Sequence, residues 1–377
     1  MAGIWDEKKY TKVLSDLVKI PSMSGDEGKL AEYIAAFLRS NKVPCEKDKD
    51  DNVIAKVGKG KPAIHLVGHT DTVPPVSKWE SNPYKPVVKG GKLYGLGSSD
   101  MKSGLAVMMN LATMLKPEKG TVYFDFTVVE ENPVKHKDNG AKKAAQKYPA
   151  DAAITLEPSV VGEDGPQLEI GCQGSFTATV VTRGSSCHSS VPWKGKNAIY
   201  QAAKLALRVE EMNNYDWEDY YKGAKRRSAI SATTIHGGTA WNVIPDRVAV
   251  TVNRRTGPNE TRVDFEKDLQ ELLEGLDAEV EQLEGVEGAV TDLDGQLLPA
   301  AEEAFQSVTK KEPVFRFAQG RTDAVYFKFA GADVLTIGPG TVETIHRENE
   351  WVIIRKMPET AAIVKAIIQE YIERTGK

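Results

Sequence analysis

Five short apolar runs in this chain stop at a histidine or a carboxylate: His69-Thr70-Asp71, Asp100-Met101-Lys102, Glu130-Glu131, Glu157-Pro158 and Ile345-His346-Arg347. A strand covered on both faces reads as a continuous apolar run, so the polar residue that ends it sits where the strand leaves the sheet. In open α/β sheets that mouth is where ligands bind. The pattern therefore requires a fold that gathers several strand ends in one place, and a metal site is its leading functional reading.

Around these stops helical and strand periods alternate. Apolar residues at helical spacing predict helices over 8–20 and 27–38, the second preceded by Ser24 and Glu27 in a capping-box pattern. Strand-like runs follow at 53–57 and 64–69, then a helix over 101–115, then strands over 121–129 and 152–156. Strands alternating with helices predict an α/β fold with a mostly parallel sheet covered on both faces.

The texture changes after Gly174. Residues 176–182 alternate polar and apolar, and a long helix over 197–212, strands at 229–235 and 248–253 and a helix near 263–273 follow. Such alternation predicts an α+β insert with one solvated face. The α/β pattern returns with a helix from Leu297 to Val308, apolar runs at 325–329 and 334–337, and a last helix opened by Pro358, whose fixed φ suits a first turn. Residues 1–174 and 290–377 are expected to form one discontinuous domain around an inserted domain of 175–289. Two domains also suit a chain of 377 residues, since single cores stop growing near roughly 250–300 residues.

Composition excludes several classes. A net charge of −4 gives no electrostatic footprint for nucleic acid, and no segment approaches the ~20 apolar residues of a membrane span. Residues 1–10 are charged and carry no apolar core region, which points to the cytoplasm. Cys45, Cys172 and Cys187 are odd in number and far apart, which argues against a disulfide framework. There is no G-x-S-x-G elbow, P-loop or dinucleotide fingerprint.

Strand period two puts His69 and Asp71 on one face, where the Asp71 carboxylate can accept the second imidazole N–H; a strand-end histidine satisfied by its neighbour is the alternative. Asp100 directly precedes a helix, where an aspartate is an ordinary N-cap but also a firmly held bridging ligand. Glu130 and Glu131 point in different directions, so one can ligate a metal while the other acts as general base; a solvated turn is the alternative. With Glu157 and His346, these residues allow one site of His69, Asp100 and Glu157 and a second of Asp100, Glu131 and His346. Imidazole and oxygen donors with open positions suit zinc or a similar divalent ion. His65 reads as a packed strand residue, His136 as a solvated loop residue and His236 as a strand residue of the insert, while His188 cannot be assigned by spacing.

With these clusters in order, the chain resembles the co-catalytic dizinc family of aminoacylases, deacetylases and exopeptidases over nearly its whole length. The resemblance rests on Gly68-His69-Thr70-Asp71-Thr72-Val73-Pro74, Asp100-Met101-Lys102-Ser103-Gly104-Leu105-Ala106-Val107, Glu169-Ile170-Gly171-Cys172-Gln173-Gly174, Asn242-Val243-Ile244-Pro245-Asp246 and Thr322-Asp323. It implies a zinc-exopeptidase-like catalytic domain with an inserted lid and dimerisation domain, and hydrolysis of an N-acyl amino acid by a homodimer. It also implies two Zn2+ ions, with Co2+ or Mn2+ as substitutes, held by His69, Asp100, Glu131, Glu157 and His346. Glu130 would be the general base and Asp71 would orient His69. His188 and Asn242 match positions that reach the partner subunit's active site, and Arg255 matches an arginine that binds a substrate carboxylate. The desuccinylase branch is nearest; removal of an acetyl group or cleavage of a dipeptide is the alternative within the family, and an inactive metal- or peptide-binding protein the alternative outside it. The chain departs from the family at Val129, where an acidic residue is usual, and at Asn132-Pro133-Val134-Lys135, in place of a glycine-containing turn.

Overall fold

The computed structural model describes residues 3–213, 218–257, 260–318 and 320–376. Its contacts divide the chain into two compact units, one of Met1–Gly171, Val290–Ala318 and Thr322–Lys377, the other of Cys172–Ala289 and Gln319–Arg321.

The first unit is built on a mixed sheet whose four central strands, in the order Gly120–Thr127, Ala63–His69, Ala152–Thr155 and Asp333–Thr336, are all parallel. Every residue of Ala63–His69 and Gly120–Thr127 is buried, which is why both read as apolar runs interrupted at His65 and Asp125 before their polar ends. Outside this centre the pairings turn antiparallel, with Val53–Lys59 on one flank and Leu168–Cys172 on the other. The helix Lys102–Met114 is buried through most of its length and packs between the sheet and the helices Glu7–Val18 and Lys356–Thr375. The stripe Ala361, Val364, Ile368 and Tyr371 faces this core, and the Val364 and Ile368 side chains each contribute about 1.5–3 kcal/mol by leaving water.

The second unit is a four-stranded antiparallel sheet ordered Ala229–Gly237, Arg247–Thr256, Gly174–Arg183 and Ala278–Val286. Helices Ala198–Glu211 and Arg262–Leu273 bury Leu205, Val209, Phe265 and Leu269 against Val180 and Val250. Ile199, Tyr200, Leu207 and Val263 of these helices stay exposed, and Thr261 and Asp264 close a capping box at the start of the second helix.

The expected capping box at Ser24 and Glu27 does not form. The Ser24 hydroxyl donates to Asp71 Oδ2 at 2.6 Å, and Glu27 accepts the N–H groups of Gly25 and Val129 and the ammonium of Lys137. Long-range partners outbid the local pattern at both residues. The apolar run at 325–329, read by composition alone, is a short helix, Ala324–Phe329. Among the described residues no helix is long and apolar enough to cross a membrane.

Candidate metal and active site

His69 is the last residue of its strand, Glu157 lies just beyond Ala152–Thr155, and Asp100 precedes the helix Lys102–Met114. That helix can lie against the strand end because residue 104 is glycine: a Cβ there would stand 2.3 Å from the Leu156 carbonyl oxygen. His69 Nε2 is 3.2 Å from Asp100 Oδ1 and 3.6 Å from Glu157 Oε1, and all three residues are buried. Asp100 turns its other oxygen to His346 Nε2 at 3.4 Å, and the same nitrogen is 3.0 Å from Glu131 Oε2. Asp100 thus stands between two triads, each offering donor atoms within 4.8 Å of one another.

These separations fit metal ions. Ligands about 2.0–2.1 Å from a tetrahedral ion lie about 3.3 Å from each other, and imidazole with carboxylate suits zinc and its neighbours. Asp100, Glu130, Glu131 and Glu157 also crowd four carboxylates around two imidazoles, a surplus of negative charge that divalent cations would balance.

The electrostatics record that surplus. Burial disfavours a charged His69, yet Glu157, Asp100 and Asp71 raise its pKa well above the ordinary value. Burial would also raise Asp100, but His346 and His69 hold it below the usual carboxylate range. Burial pushes Glu157 up to about 7, and hydrogen bonds to Asp100 and Glu131 lift His346 to about 10. Glu130 stands well above its usual value through burial, against the pull of His69 and with Asp323, Glu157 and Glu131 adding to the rise. Its carboxylate accepts no hydrogen bond from the described residues, which leaves it free to carry a proton.

Asp71 faces His69 and the glutamate pair together. The His69 Nδ1–H points to the backbone carbonyl of Asp71 at 2.9 Å, with the nearer carboxylate oxygen at 3.6 Å. The carboxylate also accepts the N–H groups of Glu130 and Glu131, at 3.1 and 3.0 Å, and the Ser24 hydroxyl. Asp71 therefore fixes the backbone of the glutamate pair. The preceding residue, Val129, has φ +60°, a left-handed conformation that costs roughly 1–2 kcal/mol in a residue with a Cβ. Glu27 and Asn139 hold it there through its N–H and its carbonyl.

The remaining expected site residues lie in the second unit. His188 is exposed on the two-residue strand Cys187–His188, which pairs with Val243–Ile244, and the Ser189 N–H donates to the Asn242 carbonyl at 3.0 Å. His188 and Asn242 are therefore neighbours. The Ser190 N–H donates to His188 Nδ1 at 3.2 Å, so in the neutral ring the proton sits on Nε2. Arg255 is exposed near the end of Arg247–Thr256, away from the acidic partners of Arg254, and forms no ion pair among the described residues.

Glu350 and Asp323 also belong to the site; no pattern marked Glu350, and Asp323 was marked only as part of the Thr322-Asp323 resemblance, with no role. Glu350 holds the loop before Asp100, and Asp323 accepts from Thr127 and Asn139 beside the glutamate pair. Their partners are 184 to 250 residues away along the chain in the case of Asn139 and Asp100, so no window of sequence contains them.

A mostly parallel sheet that gathers imidazoles and carboxylates at its strand ends, together with a peptidase-family match, makes this a metal-dependent hydrolase. The chain belongs to peptidase family M20/M25/M40, whose model matches residues 65–370. Over 367 residues it is 30% identical to the succinyl-diaminopimelate desuccinylase of Corynebacterium glutamicum, with 94% of each chain covered. Its fold is similar to that of aminopeptidase PepT from Bacillus cereus, with TM-score 0.78, 22% identity and coverage of 98% of this chain and 100% of the other. A dinuclear metal-binding peptidase of Bacillus subtilis is similar at TM-score 0.72 and 18% identity, covering 98% of this chain and 99% of the other.

Proposed function

We propose that this chain hydrolyses N-succinyl-LL-diaminopimelate to succinate and LL-diaminopimelate, a step toward lysine and cell-wall precursors, using two zinc ions. The observation that carries the reading is its 30% identity to the Corynebacterium glutamicum desuccinylase along nearly the full length of both chains. The two triads sharing Asp100 agree with it.

His69, Asp100 and Glu157 would hold one ion and Asp100, Glu131 and His346 the other. Such ions supply Lewis-acid polarisation of a carbonyl and acidification of water. Glu130, whose carboxylate accepts no hydrogen bond from the described residues, takes the proton of the attacking water and returns it to the departing amine, the task of a general base that becomes a general acid. Asp71 keeps Glu130 and Glu131 in register while that proton moves. In a homodimer, the exposed His188 would donate its Nε2–H to the developing oxyanion in the partner's site, an interaction commonly worth about 2.7–4 kcal/mol. Asn242 would accompany it, and Arg255 would pair with a substrate carboxylate.

The test is release of succinate by zinc-loaded protein, with chelated protein, N-acetylornithine and dipeptides as controls. Zinc-dependent release from the succinyl substrate alone is the expected result. Turnover of acetylornithine or dipeptides in its place moves the substrate and keeps the chemistry. No turnover of any of them by protein with both ions bound leaves a binding protein.

A further inference from the structure

We infer that Glu350 positions Asp100 between the two triads and so sets both metal sites at once; the inference rests on reading the triads as metal sites. Asp100 follows a loop, Gly95–Asp100, and a ligand shared by two ions is useful only if both of its oxygens are held in place. Glu350 is buried. Its Oε1 accepts the N–H groups of Ser99 at 2.7 Å and Asp100 at 2.9 Å, and its Oε2 accepts that of Gly97 at 2.8 Å. Its backbone carbonyl accepts the Gly95 N–H at 3.0 Å and the Ser98 hydroxyl at 3.3 Å. Every residue of the loop except Leu96 is thereby tied to this one.

The tie also reaches the other histidine. Glu350 lies four residues beyond His346, and before His346 the Thr341 N–H donates to Ser99 Oγ at 2.6 Å while the Ser99 hydroxyl donates to the Thr341 carbonyl at 3.0 Å. The segment carrying His346 is stitched at both ends to the loop carrying Asp100. Among the described residues no lysine or arginine forms an ion pair with Glu350, and three backbone N–H groups hold its carboxyl oxygens. The geometry makes Glu350 a positioning residue that acts through Asp100. Glu157 faces only the first triad and Glu131 only the second.

Glu350→Gln separates the roles. Its amide oxygen can still serve Ser99 and Asp100, while its NH2 group confronts the Gly97 N–H. Zinc is titrated calorimetrically into metal-free wild type, Glu350→Gln, Glu350→Asp and Glu131→Gln, and the melting temperature of each metal-free protein is recorded. Both zinc dissociation constants are expected to rise about 10–100-fold in Glu350→Gln, against one constant in Glu131→Gln. Glu350→Asp keeps the carboxyl group on a shorter stem, is expected to fall between wild type and Glu350→Gln, and carries the same test if the glutamine variant does not fold. Unchanged zinc constants, with or without a lower melting temperature, overturn the inference and leave the triads standing; so does a change confined to one constant. Wild type that takes up no zinc overturns the metal sites and this inference together.

Discussion

His65 and His69 lie four residues apart on one buried strand, and both face carboxylates. At His65 each ring nitrogen has one partner: Nδ1 is 2.5 Å from Asp125 Oδ2, Nε2 is 3.0 Å from the Pro149 carbonyl, and the ring stacks on Tyr123 with centroids 4.5 Å apart. At His69 the acidic partners are in surplus. Asp100 and Glu157 share one ring nitrogen while Glu130, Glu131 and Asp323 add further negative charge nearby. Burial and residue type are the same at both positions. What separates a packing histidine from a candidate ligand is the number of carboxylates per imidazole, one in the first case and a surplus in the second.

The largest effect is expected at the surplus. Glu130→Gln should lower kcat by roughly 10²–10⁴-fold, the usual contribution of a proton-transfer group, while metal analysis finds the ions retained; near-normal turnover would remove Glu130 from this role. Next is the closed pair. His65→Gln leaves Asp125 buried without its partner and should cost about 3–5 kcal/mol in denaturant unfolding, with metal content unchanged. A variant that loses metal as well would erase the distinction between the two ends of the strand.

His346 sharpens the contrast within the site, since its side chain is 51% exposed whereas that of His69 is 1% exposed. His346→Ala should lose one ion and keep the other, and should change the stability of the metal-free protein by less than about 1 kcal/mol. The smallest effect is a pH dependence at His65. Burial disfavours its charge, but Asp125 and the Pro149 carbonyl raise its pKa above the ordinary value. A folded pKa above the unfolded one means the pair stabilises fully below about pH 6.5 and loses that contribution as pH rises through the folded value. The stability gap between wild type and His65→Gln should therefore narrow on going from about pH 6 to about pH 9; a constant gap would mean the ring is neutral throughout.

Much of this was legible in the chain because burial writes itself locally. Ala63–His69 and Gly120–Thr127 are covered on both faces, so their apolar runs and polar stops could be read directly. The strand Ala278–Val286 escaped notice because most of its residues are exposed and a register shift between Val280 and Gln282 interrupts its apolar alternation. Strand period placed Asp71 beside His69 but gave no sign that its carboxylate also serves the backbone of Glu130 and Glu131, 59 and 60 residues away. Glu350 reaches across 250 residues to the Asp100 N–H. Bonds to backbone N–H groups demand no particular residue type in the partner, so such positioning carboxylates leave no pattern at the other end.

The central claim is that Asp100 joins two metal sites where His65 closes none. It is tested most directly by counting zinc ions per chain, after dialysis, in wild type and Asp100→Asn. Two ions in wild type and neither firmly held in the variant is the expected result. No ion in wild type, or two retained by the variant, would contradict it.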